Sequence, residues 1–253
     1  MRISLTPCQT QRDGQRIAAS PSALLWLAQS TLFDARQQSV LLSRLSAEEA
    51  RRYLGFPGTP LGQQRQLQFL IGRSLLRLAI ASVAAVPATS VRVAERPGNA
   101  PGVSIAADDG KVPYFSLAHS KHFVACLTSR DTPAGLDIEW PFPQRDVMAL
   151  SSAAFTAAEH FWLSQQPETL RQTAFYRLWN NKEAWYKLMS AQCKPVDMLP
   201  SLIDDNGTFQ TSAADWHGFS FMHADLFLAT CTGQALASLA LIDDISFDHM
   251  VSA

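Results

Sequence analysis

The sequence predicts an α+β fold built from two similar lobes. The chain has 253 residues, enough for two small domains. A helical apolar pattern followed by strand patterns occurs in the first half, and the same order returns in the second half. Helices and strands in separate runs are typical of α+β architecture. We place the boundary near Thr132–Pro133, which gives an N-terminal lobe, 1–133, and a C-terminal lobe, 134–253.

Two helices are predicted in the first half. The stretch SAEEARRYL begins with a capping box, in which Ser46 is followed three residues later by Glu49. Residues 64–83 repeat apolar side chains at helical spacing, which predicts a core helix with Arg73 and Arg77 on one flank. RPGNAPG is a loop by its Pro and Gly content. The predicted strands of this half and of the boundary are SVRVAE, VPYFSLA, FVACLTS and AGLDIE.

The second half repeats this order. TAAEHFWLSQQ begins with another capping box, Thr156 with Glu159, which by itself explains the glutamate. A longer helix is predicted from about Thr169 through FYRLWNNKEAWYKLM. Two strands, DLFLATC and ALASLALI, follow near the end of the chain.

Composition narrows the class of protein. The 21 basic and 22 acidic residues nearly balance, which argues against a nucleic-acid-binding protein. The four cysteines show no metal-ligand spacing and are expected to be reduced thiols: Cys8, Cys126, Cys193 and Cys231. The first residues lack the pattern of a secretory signal, and no apolar run approaches the length of about 18 residues that would suggest a membrane span. We therefore expect a cytoplasmic protein that does not bind membranes.

The stretch GLDIE places two acidic residues inside an otherwise apolar strand. Side chains two apart share a face, so Asp137 and Glu139 point the same way and Leu136 and Ile138 point the other way. Two like charges on one face repel each other unless a cation lies near them. A solvated acidic strand edge is the alternative reading, although surface strands rarely favour Asp.

The stretch LWNNKEAWYKLM carries a second unusual charge. Lys182 falls on the apolar stripe of the predicted helix, so it either extends past the aromatic residues to solvent or reaches a negative group inside. Glu183 and Lys187 are four apart in the order that favours a plain surface ion pair. His119 and Ser120 follow a predicted strand, and a histidine there can donate to phosphate oxygens.

These residues together indicate metal-assisted chemistry. Acidic oxygen donors without His or Cys clusters suit Mg²⁺, with Mn²⁺ as the other candidate, rather than zinc. Lysine and arginine side chains can bind phosphate charge. Ser120 does not lie in a G-x-S-x-G elbow, which argues against a serine hydrolase. The residues alone therefore predict metal-assisted phosphoryl-type transfer or hydrolysis.

Four ordered motifs resemble those of the 4′-phosphopantetheinyl transferase superfamily, in its longer, two-lobed, surfactin-type branch. They are FSLAHS, GLDIE, FTAAE and WNNKEAWYK, and FLIGRSLLR resembles an upstream helix of that family. The resemblance covers roughly residues 40 to 190. It implies two lobes related by a pseudo-twofold axis, an active site between them and a monomeric protein.

The resemblance also assigns roles to residues. It implies that Asp137, Glu139 and Glu183 bind Mg²⁺. It implies contacts with coenzyme A for a further set of side chains: Arg52, Arg73, His119, Ser120, Lys182 and Lys187. The implied reaction transfers the phosphopantetheine arm of coenzyme A to a serine of an apo carrier protein and releases adenosine 3′,5′-bisphosphate, as in holo-acyl-carrier-protein synthases. The carrier could serve fatty acid, polyketide or non-ribosomal peptide synthesis.

The predicted catalytic residues are Glu183, Lys187 and His119, with Glu183 as the first choice of base for the serine proton and water or Glu159 as the second. Two positions depart from the family pattern. The loop before the histidine motif reads GNAP where a Lys or Arg is usual, so Arg92, Arg96 or Lys111 would have to replace one phosphate contact. The helix carries Gln68 where relatives often have Thr or Arg.

Two other functions have to be weighed against this one. A metal-dependent nuclease or phosphatase would need a lysine two residues after Glu139, and Pro141 stands there. A non-catalytic protein that binds carrier proteins would have no need to keep charges on a buried face. Both are weaker readings of the motifs than the transferase.

Overall fold

The structure is a computed structural model that describes residues 2–5, 22–96, 98–106, 111–194 and 200–252. Cys8 and most of the opening segment lie outside the described residues. The chain divides into two compact units. Unit 1 comprises Met1–Asp131 and Leu236–Ala253, and unit 2 comprises Thr132–Ala235.

The described residues form a mixed set of helices and strands, as the predicted α+β class requires. The helices are α1 (Ala35–Ser43), α2 (Ala47–Leu54), α3 (Pro60–Ala84), α4 (Val147–Ala154), α5 (Ala157–Ser164), α6 (Glu168–Ala191) and α7 (Phe247–Ser252). The strands are β1 (Arg2–Leu5), β2 (Ala23–Gln29), β3 (Val91–Ala94), β4 (Gly102–Ile105), β5 (Tyr114–Ser120), β6 (Phe123–Ser129), β7 (Ala134–Glu139), β8 (Ser212–Ala213), β9 (Trp216–His223), β10 (Leu226–Thr232) and β11 (Ser238–Ile242). Short 3₁₀ helices cover Ser30–Leu32 and Ala88–Ser90.

Unit 1 is a sheet covered by the long helix α3. Among the described residues the sheet has the order β1-β11-β2-β6-β5, with β11 parallel to both β1 and β2. Leu70, Ile71 and Leu75 of α3 are fully buried in its core. Strands β3 and β4 pair separately as an antiparallel ribbon. This core holds the flank of α3 that carries the arginines in a defined position.

The C-terminal strand β11 belongs to unit 1 rather than to the C-terminal lobe. The predicted lobes, 1–133 and 134–253, differ from the two units at this point. Strand β11 lies between β1 and β2 in the sheet, so its ladder hydrogen bonds are made with the first strands of the chain. The local sequence pattern cannot predict this pairing, because the apolar alternation of a strand does not specify which other strand it pairs with.

Unit 2 is an antiparallel sheet covered by the long helix α6. Its described strands follow the order β7-β10-β9-β8. Leu178, Ala184 and Leu188 of α6 are fully buried in this core. Because α6 packs against β7 and β10, the polar residues on one of its faces lie over the acidic strand.

Gly135 explains how closely α6 and β7 approach. A Cβ atom at this position would lie 1.9 Å from the carbonyl oxygen of Ala184 and 2.6 Å from the backbone nitrogen of Leu188. Both atoms belong to the backbone and cannot move aside alone. The glycine of the GLDIE motif is therefore required for packing, and it brings the strand residues that follow it against α6.

Most predicted elements are confirmed. Both capping boxes form, at Ser46 with Glu49 and at Thr156 with Glu159. Strand β7 has the predicted bounds, while β5 extends through Ser120, so the histidine motif lies inside a strand rather than after it. The elements that the sequence analysis missed are β1, β2, β4, β8, β9, α1, α4 and α7. Several of these are short, and short elements carry few repeats of any pattern.

Helix α3 is long and apolar enough to cross a membrane by length and composition alone. This differs from the expectation that no apolar run approaches about 18 residues. In the structure 67% of the most apolar 18-residue stretch of α3 is buried inside the protein. Its packing on the sheet of unit 1 accounts for its apolar character.

Candidate functional site

The acidic strand β7 has the alternation that the sequence predicts. Leu136 and Ile138 are fully buried on one face. Asp137, on the other face, is 8% exposed, and Glu139 is half-buried. Gly135 shares the face of the two acids, so this face lies towards α6. A solvated strand edge does not describe Asp137, because its carboxylate is buried.

The cation beside Asp137 is the ammonium group of Lys187. Its Nζ lies 2.8 Å from Asp137 Oδ1 and also donates to the carbonyl oxygen of Leu136 at 2.8 Å. Lys187 therefore pairs across to β7 rather than with Glu183, its neighbour one turn earlier on α6. The simple ion pair that the spacing suggested is replaced by a contact between two elements, because α6 packs on β7.

The second carboxylate oxygen of Asp137 is buried and accepts no hydrogen bond from any residue that the structure describes. Burial raises the pKa of Asp137 to about 7. Lys187 opposes this shift, while the charges of Glu139 and Glu183 add to it. A buried oxygen without a partner, next to two further carboxylates, is a place where a cation would be stabilised.

The described oxygen donors of this region suit a hard divalent cation, but the structure does not arrange three of them around a common position. Within the described ranges, no group of three His, Cys, Asp or Glu side chains is arranged to hold a metal ion. Oxygen donors from Asp137, Glu139 and Glu183 suit Mg²⁺ or Mn²⁺.

Lys182 reaches a negative group inside unit 2. Its ammonium nitrogen lies 2.9 Å from both carboxylate oxygens of Glu159 and 3.1 Å from the carbonyl oxygen of Pro200. The three donors of the ammonium thus have three acceptors, and the side chain is only 5% exposed. The structure gives Lys182 a role in the fold, which differs from the phosphate contact that the resemblance implied.

The carboxylate of Glu159 likewise has structural hydrogen-bond partners inside unit 2. It is fully buried, and it also accepts hydrogen bonds from the backbone nitrogens of Thr156 and Leu202, both at 2.9 Å. All of these contacts are structural, and they tie α5, α6 and the chain after Pro200 together. This carboxylate has no access to a substrate hydroxyl in the structure, so the geometry does not favour Glu159 as the alternative base.

Unit 1 contains a cavity of about 500 Å³ that brings most of its predicted site residues together. Arg52, Arg73 and His119 line it, while Ser120 is buried on the same strand as the histidine. The lining also contains Arg65, Phe69 and Asn99. The three arginines of the lining, Arg52, Arg65 and Arg73, make this cavity the candidate site for an anion.

Glu95 binds both of the predicted arginines. Its Oε1 accepts from Arg73 Nε at 2.8 Å and from Arg73 Nη2 at 2.7 Å, and its Oε2 accepts from Arg52 Nη1. Phe69 lies beneath both guanidinium groups, with centroid distances of 4.5 Å to Arg73 and 5.5 Å to Arg52. Burial lowers the pKa of Arg73 from its ordinary value, and Glu95 counteracts this effect.

A second carboxylate extends this ion-pair network along α3. Glu49, the capping-box residue of α2, is fully buried and pairs with Arg77 Nη2 at 2.6 Å. Its other oxygen lies 3.7 Å from Arg73 Nε. Glu49 thus forms a close ion pair with Arg77 and a longer contact with Arg73, whose main partner is Glu95.

The three basic residues proposed to compensate for the GNAP loop lie elsewhere. Arg92 lines a different concavity of unit 1, Arg96 lies against Gly102, and Lys111 lies over the ring of Tyr114. None of the three is among the residues that line the described cavity of Arg52 and Arg73. Gln68 donates to the carbonyl oxygen of Lys121 at 2.8 Å, which gives it a structural role.

Sequence reasoning missed Glu95 and Arg65. Glu95 is the last residue of the predicted strand SVRVAE, where nothing in the pattern distinguishes it from an ordinary surface acid. Arg65 precedes the apolar part of α3, and its spacing of four and eight residues before Phe69 and Arg73 is the signal that could have placed it on their face.

Comparison with known proteins identifies a related family. Residues 133–235 match the model of the 4′-phosphopantetheinyl transferase superfamily. This segment corresponds closely to unit 2 and contains Asp137, Glu139, Glu183 and Lys187. The resemblance to the superfamily that the motifs indicate is therefore confirmed.

Individual relatives carry the same name. The chain is 32% identical to the 4′-phosphopantetheinyl transferase psf-1 of Bacillus pumilus over 47% of this chain and 48% of that protein. It is 32% identical to 4′-phosphopantetheinyl transferase HetI of Nostoc sp. over 29% of this chain and 31% of that protein. For AcpT of Escherichia coli K12 the identity is 28%, over 51% of this chain and 60% of the relative. The matched stretches thus span between about a third and three fifths of these relatives.

Proposed function

We propose that this protein is a 4′-phosphopantetheinyl transferase of the surfactin-type branch. It would transfer the phosphopantetheine arm of coenzyme A to a serine of an apo carrier protein, as holo-acyl-carrier-protein synthases do, and release adenosine 3′,5′-bisphosphate. The observation that carries the proposal is the buried Asp137, whose Oδ2 has no partner among the described residues and lies near the charges of Glu139 and Glu183. The matched segment 133–235 contains all three acids.

Asp137, Glu139 and Glu183 are the residues that would hold Mg²⁺, or Mn²⁺ in its place. When bound, such an ion supplies charge neutralisation at the pyrophosphate of coenzyme A. Lys187 lies beside the same carboxylate, and its ammonium group would donate to a phosphate oxygen of coenzyme A.

The transfer is an in-line displacement at the β-phosphorus of coenzyme A. The serine oxygen of the carrier protein forms the new phosphorus–oxygen bond, and the bond from this phosphorus to the bridging pyrophosphate oxygen breaks. The leaving adenosine 3′,5′-bisphosphate keeps the electron pair of that bond. Glu183 is our choice to accept the serine proton, because it is half-buried and forms no ion pair with a described residue. A water molecule is the alternative base.

The cavity of unit 1 is the proposed site for the anionic groups of the nucleotide. Arg52 and Arg73 form ion pairs with Glu95 there and lie over the ring of Phe69, and His119 is exposed at the cavity wall. The partner would be an apo carrier protein, and we expect the enzyme to be a cytoplasmic monomer.

One assay tests the proposal directly. The protein is incubated with Mg²⁺, coenzyme A and an apo carrier protein, and the carrier is weighed by mass spectrometry. We expect a gain of about 340 Da on the carrier serine, the mass of the transferred arm. Asp137→Ala should abolish the gain, while the exposed control Asp215→Asn should keep it. No gain across several carrier proteins, with folded enzyme, would reject the transferase.

Calorimetry distinguishes a non-catalytic protein that only binds its partners from an enzyme. Such a protein would bind coenzyme A and Mg²⁺ yet add no mass to the carrier. A nuclease or phosphatase would instead release phosphate from nucleic acids or phosphomonoesters in the same buffer, and Asp137→Ala would stop that release.

A further inference from the structure

The cations of the unit 1 cavity differ in how much of their charge is already neutralised. Arg52 and Arg73 share the carboxylate of Glu95, and Arg73 also lies near the buried Glu49. An anion that entered the cavity would have to compete with a carboxylate that is already bound by three guanidinium N–H groups. These two arginines therefore attract an anion less strongly than their number suggests.

Arg65 is the cation without such a partner. It lies on α3 four residues before Phe69 and eight before Arg73, so the three side chains share one face of the helix. It lines the same cavity, it is exposed, and its guanidinium forms no ion pair or hydrogen bond with a residue that the structure describes. Its positive charge is uncompensated at the cavity wall.

The loop that borders the cavity cannot supply this charge. Asn99 and Pro101 of the GNAP loop line the cavity, and both are neutral. Arg96, the nearest basic residue of the loop, is packed with its guanidinium against Gly102, where a Cβ atom would lie 2.9 Å from its Nε. An arginine of α3, Arg65, lines the same cavity and carries a positive charge.

We propose that Arg65 is the principal phosphate-binding residue of this cavity and takes the place of the basic residue that the GNAP loop lacks. Its ligand is a phosphate group of coenzyme A, so the inference rests on the proposed function. Arg65 would form a charge-assisted hydrogen bond with that phosphate, and Arg52 and Arg73 would shape the cavity around it. The position would determine how strongly the protein prefers phosphorylated ligands over neutral ones.

The test compares ligand binding by the wild type and three variants. Arg65→Gln and Arg51→Gln each remove one positive charge, and Arg65→Lys keeps it. Isothermal calorimetry with coenzyme A, and then with adenosine 3′,5′-bisphosphate, is carried out on the wild type, Arg65→Gln, Arg65→Lys and Arg51→Gln. Arg51 is an exposed arginine of α2 outside the cavity lining, so its replacement controls for net charge. Circular dichroism checks that each variant is folded.

We expect Arg65→Gln to bind both ligands roughly tenfold more weakly, because one charge-assisted hydrogen bond is lost. Arg65→Lys should recover most of the affinity, and Arg51→Gln should stay within about twofold of the wild type. A smaller effect of salt on the affinity of Arg65→Gln is also expected.

The outcomes separate this inference from the proposed function. If the wild type binds coenzyme A and Arg65→Gln binds it equally well, the role of Arg65 is rejected and the proposed function stands. An equal loss in Arg65→Gln and Arg51→Gln also rejects it, since the effect would then be one of net charge. If the wild type binds neither ligand, both proposals are rejected together.

Discussion

The ammonium nitrogen of Lys182 lies 2.9 Å from each carboxylate oxygen of Glu159, and both side chains are almost completely buried. Unit 1 contains a similar buried ion pair, in which Glu49 is fully buried and pairs with Arg77. In each unit a capping-box glutamate at the start of a short helix pairs with a basic residue of the long helix. A buried ion pair of the same kind thus occurs in both units.

Replacing Lys182 alone should destabilise the protein strongly. In Lys182→Met the carboxylate of Glu159 stays buried without its cation, and we expect a loss of about 3–5 kcal/mol in the free energy of unfolding. The double variant Glu159→Leu with Lys182→Met should recover much of this loss. Urea unfolding measures both. Lys194→Met is the control, because its pair with Asp215 is exposed and should contribute less than about 1 kcal/mol.

A loss below about 1 kcal/mol in Lys182→Met would contradict the buried pair. It would mean that the carboxylate of Glu159 is hydrated in solution, and that Lys182 is available for a ligand.

Gly135→Ala should disrupt the packing of β7 on α6. The added methyl group would lie 1.9 Å from the carbonyl oxygen of Ala184, so the strand and the helix must separate. We expect a loss of about 3 kcal/mol in the free energy of unfolding, measured by urea titration. Gly58→Ala provides the control, because the corresponding Cβ has no atom within 4 Å. Equal stability of both variants would show that α6 can shift freely on the sheet.

Lys187→Met should make the protein more dependent on a divalent cation. The variant leaves buried Asp137 without the ammonium group that now neutralises it, which should cost about 1–3 kcal/mol in metal-free buffer. Mg²⁺ should restore part of this loss, since it can take the position of the missing charge. The measurement is urea unfolding with and without Mg²⁺. If Mg²⁺ stabilises neither the wild type nor the variant, Asp137 does not belong to a metal site.

Glu95→Gln should strengthen anion binding in the cavity of unit 1. The change removes a negative charge from Arg52 and Arg73, so the affinity for adenosine 3′,5′-bisphosphate should rise by about threefold to tenfold at low salt. Calorimetry measures the affinity, and Glu48→Gln, at an exposed acid of α2, serves as the control. A weaker affinity would indicate that Glu95 instead holds the arginines in the orientation that binds phosphate.

Thiol labelling should report the burial of the core cysteines. Burial raises the pKa of Cys231 to about 12 and that of Cys126 further still, whereas Cys193 is exposed. In a Cys8→Ser variant, we expect a disulfide reagent at pH 8 to modify one thiol rapidly and two more only in denaturant. Rapid labelling of all three thiols would show that both sheets open readily, since Cys126 and Cys231 lie in different sheets.

Local patterns were enough to predict the elements that carry the motifs. The capping boxes of Glu49 and Glu159, the core helix α3 and the alternation along β7 each depend on neighbours within a few residues. Hydrogen bonds and side-chain periodicity between residues a few positions apart can be predicted from the sequence alone. The same patterns indicated the family resemblance through four ordered motifs.

Only the tertiary structure decided which charges meet. Lys187 pairs with Asp137, fifty residues away, instead of with Glu183 one turn earlier, and Glu95 takes both Arg52 and Arg73. Strand β11 joins the N-terminal sheet for the same reason: a partner distant along the chain is selected by packing, which no local pattern encodes. The sequence by itself therefore determined the elements and the chemical groups, and long-range packing determined which of those groups neutralise one another and which remain available to a ligand.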